Sequence, residues 1–314
     1  MKAVRAPAGE PVLVDVPRPD GDGVLVKVVS ASICGSDLHM LDAGWLGRHT
    51  IGHEFAGIAE DGTAVAVEPT LGCGICGHCD EGLYNHCEQG FHLMGVMSDG
   101  GMAEYVRAPA ANLVRLPTGL DIATAALVEP LAVAFHGLDR CRLDPRDRVL
   151  VLGAGPIGLA AVAALAGRGM SCDISARYPH QQAAALGLGA GLEAGEGYDL
   201  VIDAVGSEDS LAEAVRRLKP LGRLGLLGSF WEKTGLGPEF CMKEVELLPA
   251  STYSCRSPRR NFEEAARLLQ AKPEVAEALV THRFPLDAVT EAFAVARDRR
   301  GGAIKVVFDV AAGH

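Results

Sequence analysis

Residues 149–167, VLVLGAGPIGLAAVAALAG, constrain the fold more than any other stretch of the chain. A short apolar run ends at a turn carrying Gly153, Gly155, Pro156, Ile157 and Gly158, and an uncharged, alanine-rich helical pattern follows. The stretch nearly reaches membrane-spanning length. Its Gly-rich centre, with a Pro, predicts instead a short buried strand, a turn and a packed helix. In that setting the glycines permit the tight turn, close approach of a pyrophosphate to backbone N–H groups, and close helix–strand packing. The turn therefore points to a bound dinucleotide.

The surroundings agree. From about residue 121, helical stretches such as IATAALVEPLAVAFHGL (122–138) alternate with apolar strands VLVL (149–152), DLVIDAVG (199–206) and GRLGLLG (222–228). Such alternation implies a parallel, doubly wound sheet. The first 115 residues differ: VLVKVVSA (24–31), FAGIAEDGTAVAVEP (55–69) and GMAEYVRAPAANLVRL (101–116) read as strands between Gly, Pro and Asp turns. NFEEAARLLQA (261–271) reads as a helix and AIKVVFDV (303–310) as a closing strand. A length of 314 residues accommodates two domains.

An acidic residue about 20 positions beyond the first glycine would hold the ribose hydroxyls of NAD. Counting from Gly153 forward and from Gly189–Ala190 backward both lead to Ala176, inside SCDISARYPHQQ. The carboxylate is missing, and Arg177 follows at once. An arginine there can pair with the 2′-phosphate of NADP. NADP is accordingly the favoured cofactor, with NAD, its ribose held by Asp173, as the alternative.

The net charge of −11 argues against a nucleic-acid or anionic-membrane partner, since either needs a basic face. The start, MKAVRAPAGEPVLVDV, has no continuous apolar segment of the secretory kind. The expectation is a soluble, cytoplasmic protein. Nine cysteines are present, four of them within CGICGHCDEGLYNHC, residues 73–87. In a reducing compartment such a cluster is more often a metal site than a disulfide set. The spacing Cys73-x2-Cys76-x2-Cys79-x7-Cys87 fits four thiolates closing a tetrahedral zinc site with no open position, hence a structural one.

A sparser set lies elsewhere. ICGSDLH (33–39) offers Cys34, Ser36, Asp37 and His39; TIGHEFAG (50–57) offers His53 and Glu54; ALVEPLAVAFHG (126–137) offers Glu129. With these motifs in order (CGSDxH, GHE, the four-Cys lobe, GGxAEY, the EPL helix, GxGPIG), the chain resembles the zinc-dependent medium-chain dehydrogenases. That is the alcohol, polyol, glucose and threonine dehydrogenase family.

The resemblance implies an α/β protein: a GroES-like β-rich catalytic domain over 1–120, completed by 285–314, and a Rossmann domain over 121–284. It implies two zinc ions per chain. The catalytic one would be held by Cys34 and His53, with Glu54 and Glu129 as alternative or exchanging acidic ligands. The reaction implied is hydride transfer between a secondary alcohol, polyol or sugar hydroxyl and NADP or NAD. Ser36 would accept the alcohol proton and His39 would pass it to solvent. Lys305 matches a position that reaches the cofactor pyrophosphate. Homodimers or homotetramers are the family habit.

The chain departs from the family by trimming. Only eighteen residues separate Cys34 from His53, among them Trp45, a candidate pocket wall. GIAEDGTAVAVEP replaces a longer loop, and GAGLEAGEGYDLVIDAVG compresses a strand and its connection. Substrate identity therefore does not carry over. The rival readings are a non-catalytic cofactor-binding relative and a zinc-free quinone or enoyl reductase. Intact Cys34, Ser36, His39 and His53 tell against both.

Overall fold

The computed structural model describes residues 1–192, 195–256 and 259–310. The chain divides into two compact units. The first comprises Met1–Glu129, Ser254–Ala276 and Val280 onward; the second comprises Pro130–Tyr253 and Glu277–Leu279. Residues 121–129 and 254–276, placed with the nucleotide domain on sequence grounds, thus pack with the first unit.

The first unit opens with β1 (Lys2–Arg5), β2 (Val12–Asp15), β3 (Val24–Ser32) and α1 (Gly35–Asp42). There follow β4 (Glu54–Ala59), β5 (Ala64–Val67), β6 (Thr70–Leu71), α2 (Gly77–Asp80), β7 (His92–Leu93), β8 (Tyr105–Ala108) and β9 (Leu113–Arg115). The alternating apolar residues of β3 and β4 bury Val26, Val28, Phe55 and Ala59 in one core, as period-2 patterning requires. The β4–β5 connection is a tight hairpin, closed by the Ala59 N–H donating to the Thr63 carbonyl at 2.8 Å.

In the second unit α3 (Val128–Arg140) leads to β10 (Val149–Leu152), α4 (Pro156–Gly167), β11 (Asp173–Ser175), α5 (Pro179–Gly187) and β12 (Gly191–Leu192). Then come β13 (Tyr198–Asp203), α6 (Glu208–Arg217), β14 (Leu218–Leu226), α7 (Pro238–Met242) and β15 (Glu246–Pro249). The six strands run parallel in the order β12-β11-β10-β13-β14-β15, reversing direction of progress at β10. That is the doubly wound order with its switch point beside the glycine-rich turn. The 149–167 stretch is thus strand, turn and helix. The compressed GAGLEAGEGYDL segment lies partly outside the described residues.

The chain returns to the first unit with β16 (Cys255–Arg256), β17 (Arg259–Arg260) and α8 (Asn261–Ala271). It closes with α9 (Glu274–Leu279), β18 (Val280–Phe284), α10 (Val289–Arg297) and β19 (Lys305–Asp309). The last strand slots between β18 and β3, giving the order β18-β19-β3-β4-β5-β9 with β8 also paired to β3. One helical stretch, Ile122–Arg140, is long and apolar enough to cross a membrane by length and composition; most of it is buried inside the protein.

Candidate active site and metal centres

The antiparallel β3·β4 pair brings the sparse ligand set together. Cys34 lies two residues past the end of β3, and His53 immediately precedes β4. Gly52 before it adopts φ +95°, and a Cβ there would lie 2.5 Å from the Met102 side chain, so the turn into His53 needs glycine. One ligand atom each from Cys34, His53 and Glu54 lie within 4.8 Å of one another.

Cys34 is also the N-cap of α1. Its backbone N–H donates to Asp37 Oδ2 at 2.9 Å, so Asp37 fixes the first turn. The other carboxylate oxygen, Oδ1, stands 3.1 Å from His53 Nδ1. Asp37 therefore links the helix cap to the imidazole, leaving Nε2 for other partners. Burial opposes a charged His53, but the charges of Asp37 and Cys34 outweigh it and raise the imidazole well above its ordinary range. The Ser36 hydroxyl donates to Cys34 Sγ at 3.1 Å and lies 3.5 Å from His53 Nε2. His39, one turn on along the same helix, is exposed.

Glu54 is fully buried, and so is Lys305, whose ammonium lies 2.8 Å and 2.7 Å from its two carboxylate oxygens. Burial favours a neutral Glu54, yet Lys305 and then His53 hold it below the ordinary carboxylate range. The third Lys305 N–H goes to the Ile33 carbonyl at 3.2 Å. Lys305, expected from the resemblance to reach the cofactor pyrophosphate, thus has its three donors directed to Glu54 and Ile33 inside the first unit. Glu129, at the start of α3, is buried. Burial, reinforced by the Glu54 charge against the pull of His53, pushes it up to about 8.

The second set is the lobe. The sulfurs of Cys73, Cys76, Cys79 and Cys87 lie within 4.8 Å of one another, none in a disulfide. Backbone N–H groups from Glu88 and Cys79 lower Cys76 to about 6, and those from Cys73 and Gln89 lower Cys87. Burial lifts Cys79 to about 12. Four converging sulfurs, some held toward thiolate by backbone donors, suit a tetrahedral zinc. The soft–hard mix of Cys34, His53 and a carboxylate suits a second zinc.

The lobe is anchored by a cluster that sequence reading missed. Glu68, just past β5, is buried and accepts from the Tyr84 hydroxyl and from Arg260, whose Nε lies 3.1 Å away. Arg260 also reaches the Ala111 carbonyl at 2.8 Å, and the Cys255 N–H reaches the Gly82 carbonyl at 2.9 Å. These contacts are why residues 254–276 belong to the first unit.

In the second unit Gly153 takes φ +91°, where a Cβ would strike Val205 at 2.5 Å. A Cβ on Gly158 would stand 1.8 Å from the Gly153 carbonyl oxygen, so helix and turn are in direct backbone contact. Gly155, the N-cap of α4, has nothing within 4 Å of its Cβ position, and no side chain caps the helix. Pro156 occupies its first turn, with Ile157 beside it. Free N–H groups facing open space at a helix start fit a dinucleotide pyrophosphate.

Arg177 is exposed beyond the carboxyl end of β11, its guanidinium 5.8 Å from the Tyr178 ring. Asp173 begins that strand, and its Oδ2 accepts from the Tyr198 hydroxyl at 2.8 Å. Ligands of such sheets sit at the carboxyl ends of strands, so Asp173 is at the wrong end to serve a ribose. Asp203, closing β13, was not anticipated. It accepts the Val205 N–H at 2.8 Å and the Ser210 hydroxyl at 2.8 Å, shaping the loop next to the glycine turn.

A thiol–imidazole–carboxylate group in a β-rich unit, a four-sulfur lobe and a dinucleotide-type turn together define a metal-dependent nucleotide-linked oxidoreductase. Comparison with known proteins narrows this. Residues 20–118 match the alcohol dehydrogenase GroES-like domain and residues 122–310 the glucose dehydrogenase C-terminus. L-galactonate-5-dehydrogenase of Escherichia coli K12 is 31% identical over 314 aligned positions, covering 89% of each chain. L-arabinitol 4-dehydrogenase of Aureobasidium melanogenum is 31% identical, covering 90% of this chain and 86% of that one. Among solved structures, an alcohol dehydrogenase of E. coli CFT073 complexed with NADH matches with TM-score 0.85 at 28% identity, over 98% of both chains. A Sinorhizobium meliloti 1021 structure, described as a zinc-binding dehydrogenase bound to NADP, matches with TM-score 0.84 at 27% identity, again over 98% of both. The chain belongs to the zinc-type medium-chain alcohol and polyol dehydrogenase family. It is an NAD(P)-dependent oxidoreductase of that type.

Proposed function

We propose that the enzyme reversibly oxidises a secondary hydroxyl of a polyol, sugar or sugar-derived acid with NADP(H), NAD(H) being the alternative. The observation that carries this reading is the convergence of Cys34, His53 and Glu54 within 4.8 Å, backed by Asp37 and Lys305. In it these three residues hold a catalytic zinc, with Glu129 as the exchanging acidic ligand, and Cys73, Cys76, Cys79 and Cys87 hold a structural one. When bound, the catalytic zinc supplies Lewis-acid polarisation of the alcohol oxygen.

The remaining work falls to the chain. Asp37 fixes which His53 nitrogen is free. Ser36 Oγ would accept the alcohol proton while handing its own to the nicotinamide ribose of a bound cofactor, and His39, exposed on the same helix, would receive it from there and release it to solvent. Gly153, Gly155, Pro156, Ile157 and Gly158 receive the cofactor pyrophosphate. Arg177 favours NADP, since Ala176 offers no ribose-binding carboxylate and Asp173 is committed to Tyr198. In this reading the protein is cytoplasmic, and a homodimer or homotetramer on the family habit. The test is an activity panel of polyols, sugar acids and simple secondary alcohols with both cofactors. Turnover of a polyol-type substrate, lost in Cys34→Ser, is expected; no turnover of any alcohol by the zinc-loaded protein would overturn it.

A further inference from the structure

Glu54 is held by more than Lys305. In the β3·β4 register Ser32 stands directly opposite Glu54. Directly paired residues in an antiparallel ladder project on the same face. Both are fully buried, and the Ser32 hydroxyl donates to Glu54 Oε2. We propose that Ser32 is a positioning residue that fills one carboxylate oxygen of Glu54, leaving Oε1 as the single point of attachment for a metal. This rests on the reading of Glu54 as a zinc ligand.

The count of donors carries the inference. An ionised carboxylate offers about four lone-pair sites, two per oxygen. Oε2 receives Lys305 Nζ at 2.7 Å and the Ser32 hydroxyl, and both its sites are used. Oε1 receives only Lys305 Nζ, at 2.8 Å, among the described residues, and keeps one site. Lys305 alone would leave the two oxygens equivalent, each with one donor. Ser32 breaks that symmetry. With it, Glu54 can contribute one oxygen at a defined place and cannot chelate through two. The strand neighbours keep the hydroxyl there: Ser32 pairs with Val307 of β19 on its other side.

Removing an outer partner of a metal ligand typically costs 10–100-fold in metal affinity. The experiment uses full-length enzyme with cobalt substituted for zinc, comparing visible absorption with wild type so that the unchanged lobe cancels. Zinc affinity is read by chelator competition, and circular dichroism checks that the variants are folded. Ser32→Ala is expected to change the cobalt ligand-field bands and weaken zinc at this site about 10–100-fold. Ser32→Thr, which restores a hydroxyl in a strand, is expected to keep the wild-type spectrum. Wild-type bands and affinity in Ser32→Ala, with Glu54→Gln altering both, would overturn the role of Ser32 alone. Wild-type bands in Glu54→Gln would instead overturn Glu54 as a ligand.

Discussion

Asp37 Oδ1 faces His53 Nδ1 at 3.1 Å while its other oxygen accepts the Cys34 backbone N–H at 2.9 Å. One carboxylate thus orients two of the proposed zinc ligands. Asp37→Ala frees the imidazole to rotate and removes a helix cap. Zinc affinity at this site is expected to fall about 10–100-fold, and stability by about 1 kcal/mol. Metal content after graded chelator exposure, with a urea titration, measures both.

Arg260 is the counter-charge of buried Glu68. Burial lifts Glu68 above its ordinary range, and Arg260 pulls it partly back. Arg260→Ala strands the carboxylate and should cost about 3 kcal/mol. The folded pKa lies above the unfolded one, so this group's contribution is full below the unfolded value and lost as pH rises through the folded value. Without Arg260 the folded value rises further. The stability gap between wild type and variant should therefore widen as the pH rises above the ordinary carboxylate range. A gap that narrows with rising pH, read from urea midpoints, would count against the pairing.

The glycines of the nucleotide turn separate binding from folding. Gly155→Ala meets nothing within 4 Å and should leave the melting temperature nearly unchanged while weakening cofactor binding. Gly158→Ala meets the Gly153 carbonyl at 1.8 Å and should destabilise the fold itself. Calorimetric titration with NADP and thermal melts of both variants distinguish the two effects.

Arg177 is exposed and free to meet a phosphate. Arg177→Ala should weaken NADP at least tenfold, about 1.4 kcal/mol or more, a normal value for a charged hydrogen bond. NAD affinity should barely move. Equal losses for both cofactors would contradict the 2′-phosphate role.

Local signals were the legible ones. The cysteine spacing at 73–87 and the strand–glycine–helix stretch at 149–167 each announce their structure within a few turns of chain. Cys34, Ser36, His53 and Glu54 were readable because their motifs carry them. What escaped depends on register. A serine ending a strand gives no sign that it will stand opposite Glu54, and the pairing of Lys305 with Glu54 exists only because β19 slots beside β3. Glu68 and Arg260 are 192 positions apart, beyond any pattern in sequence. Asp173, the alternative ribose partner, lies three residues before Ala176, the length of its strand, and so at the opposite end of β11.

The central claim, two zincs with different tasks, is tested most directly by metal stoichiometry alongside turnover. Wild type should hold about two zinc ions per chain. Cys34→Ser should hold about one, remain folded and lose turnover, whereas Cys87→Ser should lose stability before chemistry. Full zinc content and unimpaired turnover in Cys34→Ser would contradict the account.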